Sequence, residues 1–94
     1  MPSVTNNGGS IESNLDPANV AGVVSATATQ TGANTSTWVV TLTAPPQKAN
    51  YARGNHLTYN AIGTHNPNAN NALVVTSVNG PAKYTCSGPW PMNT

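Results

Sequence analysis

The sequence has almost no charge. Only 5% of its 94 residues are Asp, Glu, Lys or Arg, where soluble domains carry about 25%. Those residues are Glu12, Asp16, Lys48, Arg53 and Lys83. Three scattered cations make no basic patch to neutralise phosphates, which argues against nucleic acid as a partner. The two carboxylates fall in a turn-rich stretch rather than on a rigid frame, so paired-carboxylate catalysis has no footing. Cysteine is limited to Cys86. One cysteine excludes an intrachain disulfide and a cysteine-based metal cage within the chain, and it reads as a small buried hydrophobe. His56 and His65 lack an evident third ligand, and the short motifs of known hydrolases are missing, so neither a metal, a cofactor nor an enzyme activity is expected.

Long apolar runs are missing too. None approaches the roughly 20 residues that cross a bilayer, so no membrane partner is expected. Met1-Pro2-Ser3 leads into polar residues without the basic and apolar regions of a secretory signal, which predicts synthesis in the cytoplasm without a Sec signal. Asn34-Thr35-Ser36 matches the N-glycosylation acceptor pattern, and in that context it reads as chance.

Asn, Thr, Ser and Gly take the place of the missing charge. The hydrophobic share is 37% and the net charge +1. Disordered chains couple low hydrophobicity with high net charge, so this balance points to a folded domain, and the length allows only one. Its uncharged surface also falls short of the charge that keeps free monomers soluble, which suggests that it works bound to something.

Alternation of Val, Leu and aromatic residues with Thr and Ser predicts strands at Val20–Gln30, Thr37–Thr43, His56–Ile62, Ala72–Val78 and Ala82–Cys86. Trp38, Val40 and Leu42 share one face of the clearest of these. Thr31-Gly32-Ala33-Asn34 supplies a turn between the first two, and Pro45-Pro46 ends the second. Asn79-Gly80 is a strong type I′ hairpin signal. The fold class is therefore all-β, a small five- to six-stranded antiparallel barrel or sandwich. The expected core is Val24, Trp38, Val40, Leu42, Leu57, Tyr59, Val74, Val78 and Tyr84. Residues 1–19 read as an extended N-terminal arm, 20–86 as the β domain, and 87–94 as a Pro-rich C-terminal tail.

From Trp38 onward, a Thr/Val strand is followed by Gly54-Asn55-His56-Leu57-Thr58-Tyr59-Asn60-Ala61-Ile62-Gly63. Then come Ala72-Leu73-Val74-Val75-Thr76-Ser77-Val78-Asn79-Gly80 and Lys83-Tyr84-Thr85-Cys86. This order resembles the small β-barrel modules of tailed-bacteriophage virion proteins, with Asn55 where Asp is common and Asn70-Asn71 where Asn-Gly is common. The resemblance implies a capsid decoration or cement protein on the virion surface, with the major capsid protein and neighbouring copies of itself as partners. A tail, baseplate or fibre component is the nearer variant, and a carbohydrate-binding module a separate alternative.

Residues for such an interface come from the predicted arms and the long loop. Trp90, flanked by prolines, is a candidate intermolecular anchor, with Met92 beside it. Tyr51 and Arg53 in the loop belong to types over-represented at interface hot spots. Ile11 and Leu15 are the apolar residues of the arm nearest the barrel.

Overall fold

The computed structural model describes residues 2–46, 51–60 and 70–91, with the side chains of 17–19 and 70–71 left out. The described residues form seven strands: β1 (Ser3–Asn7), β2 (Ser10–Ser13), β3 (Asp16–Gln30), β4 (Thr35–Leu42), β5 (His56–Asn60), β6 (Asn70–Gly80) and β7 (Lys83–Pro89). The described residues contain no helix. All pairings are antiparallel, in the order β1-β3-β2-β5-β6-β7-β4, and a further β3–β4 pairing closes the ring. Six strands form a closed barrel and β1 is added outside it. Closure removes sheet edges, which is how a small all-β chain protects its backbone groups.

The stretch read from its composition as an arm holds two of these strands. β1 and β2 lie in succession along the same side of β3, against Ser25–Thr29 and Asp16–Gly22 respectively. Gly8 and Gly9 separate them with φ of 87° and 88°. Only glycine adopts two such angles in a row without strain, and the kink turns the chain from the fringe into the wall. A Cβ on Gly9 would meet the Asn60 carbonyl oxygen at 2.6 Å. β2 then completes the barrel by pairing with β5, Ser10 against Asn60 through Ser13 against Leu57.

The core follows the alternation of β4. Trp38, Val40 and Leu42 all point inward, as their pattern predicts. Across the wall they face small residues, Ala28 opposite Trp38 and Ala26 opposite Val40, with Cys86 and Tyr84 on the other side. Small against large lets the indole fill the barrel centre, where it meets the Tyr59 ring edge-on at 5.9 Å. Leu57, Leu73, Val75, Ile11 and Val23 complete the cluster. Each such side chain contributes about 1.5–3 kcal/mol by burial.

Three expected core positions are corrected. Val24 is 50% exposed and Val78 51%, and Val74 is only half-buried. In β3 the register shifts between Val23 and Ser25, so the inward set runs Val23, Ala26, Ala28 instead of keeping one parity. In β6 Leu73, Val74 and Val75 are consecutive apolar residues, and the phase that buries the first and third wins. Beyond a shift between Val75 and Ser77, Val78 stands opposite the buried Tyr84, but on a stretch of β6 that runs past its pairing with β5, and it stays exposed. The Asn79-Gly80 turn is also corrected. Both residues belong to β6, Gly80 pairs with Lys83, and Pro81-Ala82 make the turn. Proline presets φ for the first central position, and Gly80 is not among the residues with positive φ.

Candidate interaction surface

The chemistry-bearing side chains are dispersed. Arg53, His56 and Lys83 are exposed, Glu12 is half-buried on β2, Asp16 opens β3, and Cys86 is fully buried in β7. Among the described residues no group of three His, Cys, Asp or Glu is placed to hold a metal ion; His65 and Lys48 lie outside those residues. Burial pushes the Cys86 thiol up to about 12, which keeps it protonated and unreactive. The Tyr51 phenol is also raised to about 12, first by burial and then by Tyr84 and Glu12 nearby.

Of the residues expected at an interface, three turn inward. Ile11 is 1% exposed, Tyr51 2% and Trp90 8%. Ile11 and Tyr51 hold each other, because the Tyr51 hydroxyl donates to the Ile11 carbonyl at 2.9 Å. Tyr51 plugs one end of the barrel, its ring 5.8 Å from that of Tyr84. Its loop is fixed by Gly54, which has φ of 89° and donates from its backbone N–H to the Val75 carbonyl at 2.7 Å.

Trp90 closes the other end. The strand pairing of β7 with β4 continues beyond Pro89, and the Trp90 backbone N–H donates to the Asn34 carbonyl at 3.1 Å. Pro89 is tolerated there because β6 has already stopped pairing, its last contact being Val74 with Ser87. The Pro89 carbonyl, turned inward, accepts from Trp38 Nε1 at 3.0 Å and Ser36 Oγ at 2.6 Å. The early part of the expected tail is thus a stave and a lid. Met92 lies outside the described residues.

Leu15 and Arg53 remain on the surface. Leu15, 69% exposed, caps the β2–β3 turn, where its backbone N–H is held by Ser13 Oγ. The neighbouring Asn14 N–H donates to the His56 carbonyl at 2.9 Å, so this turn and the Arg53 loop stand at the same end of the barrel. Val20 and Val24 on β3 and Val78 on β6 are the other large hydrophobic residues exposed in the described surface. Val78 lies on the part of β6 that runs past β5 toward that same end. The exposure of Val24 was hidden from the pattern by the register shift in β3. Around them the wall presents hydroxyls, with Thr5 and Thr27 joined Oγ1 to Oγ1 at 2.8 Å.

A second feature is an open groove of about 490 Å³ where β7 separates from β6. Val74 and Ala72 form its apolar part, and Thr35, Thr37, Asn34 and Ser87 surround them. It contains no charged side chain.

Comparison with known protein families, curated proteins and solved structures finds no match.

Proposed function

We propose that this protein is a non-catalytic structural module of a virion, a capsid decoration protein that sits on the outer shell and bridges neighbouring capsid subunits. The observation that carries the reading is the set of half-exposed aliphatic side chains, Leu15, Val20, Val24 and Val78, on a wall otherwise made of hydroxyls and amides. With Arg53, Leu15 and Val78 give one barrel end an apolar, weakly cationic contact surface. Each apolar square ångström covered there contributes about 25 cal/mol before binding costs, and repetition over a shell multiplies weak contacts. Bridging then runs through the barrel end instead of through loose arms, since β1 and β2 are paired to β3 and residues 87–90 are held along β4. The same reading admits a tail, baseplate or fibre location. A carbohydrate-binding role is less well supported, because Trp90 and Tyr51, the rings it relies on, are buried.

The test is made on purified particles from cells that produce the protein. Many copies per particle, lost on Leu15→Asp together with earlier capsid rupture on heating, are the expected result. Absence from the particles, or full binding by Leu15→Asp combined with Val78→Asp, would refute the reading.

A further inference from the structure

β1 is the one strand whose far side meets no partner among the described residues. Its hydrogen-bond phase is fixed at both ends. The Gln30 N–H donates to the Pro2 carbonyl at 2.9 Å and the Gly8 N–H to the Val24 carbonyl at 3.0 Å. Antiparallel ladders alternate, so Val4 and Asn6 direct their main-chain groups at β3, while Ser3, Thr5 and Asn7 direct theirs away from it. Natural sheets guard such an edge with charge, proline or a bulge. Ser3-Val4-Thr5-Asn6-Asn7 has no charge and no proline, and its register against β3 is unbroken.

We infer that two copies of this chain pair through β1, antiparallel, about a two-fold axis at Thr5. The occupant follows from the symmetry of the edge. Ser3 and Asn7 lie equally far from Thr5, so a second β1 uses every outward group: Ser3 with Asn7, Thr5 with Thr5, and Asn7 with Ser3. This makes about six main-chain hydrogen bonds. A net charge of +1 opposes the approach of a like copy only weakly. The Asn6 side chain is sealed within the single chain at 1% exposure, with no hydrogen-bond partner for Nδ2 or Oδ1, so the pairing rests on the backbone of β1 alone. This contact names the copy-to-copy partner in the assembly proposed above, but it rests on strand geometry and is tested without any particle.

The experiment uses the purified full chain. A single five-residue pairing is a small interface, so association is expected in the range of about 10 µM to 1 mM. Sedimentation is expected to show a doubling of mass over that range. Amide exchange by NMR is expected to show protection appearing with concentration at Ser3, Thr5 and Asn7, while Val4 and Asn6 are protected throughout. Thr5→Pro removes an outward N–H and the exposed Thr5–Thr27 hydroxyl contact but no ladder bond to β3, so it should keep the folded spectrum and abolish the doubling. The inference is overturned by a monomer at all concentrations, by odd-residue protection independent of concentration, or by a dimer that survives Thr5→Pro. Failure here with particle binding intact leaves the decoration reading standing. Loss of particle binding alone leaves the pairing standing.

Discussion

Cys86 ties stability to alkaline pH. It is fully buried between Trp38 on β4 and Val75 on β6, and burial raises its thiol from 9.0 to about 12. A raised folded-state value means that the neutral form stabilises the fold fully below pH 9 and that this contribution is lost as pH rises toward 12. At pH 11 the unfolded thiol is almost wholly ionised while the folded one is not, a difference of about 3 kcal/mol. Tyr51, raised from 10.0 to about 12, adds about 1 kcal/mol by the same linkage. Tyr59 and Tyr84 are shifted in the same direction by burial. Against a total stability of about 5–15 kcal/mol, the Cys86 part alone should lower the urea midpoint by about 2–3 M at an m-value of about 1 kcal/mol/M. The assay compares urea unfolding at pH 8 and pH 11, under reducing conditions, for the wild type and Cys86→Ala. The variant should start about 1 kcal/mol less stable from its small cavity, yet lose about 3 kcal/mol less between the two pH values. Equal losses in both proteins would falsify the argument, as would rapid reaction of the native thiol with a disulfide reagent at pH 8.

Two more substitutions probe the packing. Gly88→Ala would place a methyl 2.5 Å from Leu73 Cδ2 and 2.9 Å from Trp38 Nε1. It should cost about 1–3 kcal/mol by overpacking, with a shift in Trp fluorescence. Val23→Thr and Val24→Thr separate the two phases of β3. The buried position should lose about 1–3 kcal/mol and the half-exposed one less than about 0.5 kcal/mol in thermal unfolding.

The strands of the central chain were legible because their alternation is strong. Trp38, Val40 and Leu42 could be assigned to the core from spacing alone, and Tyr59, Leu57 and Tyr84 followed the same logic. β1 and β2 were hidden because their burial is not written in hydrophobicity. Ser10-Ile11-Glu12-Ser13 offers one apolar side chain, and what holds it is a ladder on both sides. Val24 misled because one displaced residue at a bulge reverses every inward position beyond it, and hydropathy carries no record of that residue; Val78 misled because it lies where β6 runs past β5. At the interaction surface the same effect was decisive. The residue types that looked like anchors, Tyr51 and Trp90, are the ones large enough to seal the barrel ends. Leu15 was legible because a turn tip has nowhere to bury an aliphatic chain.

The kink at Gly8 and Gly9 has a bearing on how the chain assembles. β2 leaves the ribosome before β3, its hairpin mate, and long before β5, the strand that must grip its other side. Local hairpins such as β3–β4 and β6–β7 can form at once, whereas the β2–β5 seam requires the closure of a loop spanning much of the molecule. β2 must wait for β5 and β4 must wait for β7, so until Lys83–Pro89 arrives the nascent protein is an open sheet with two raw margins.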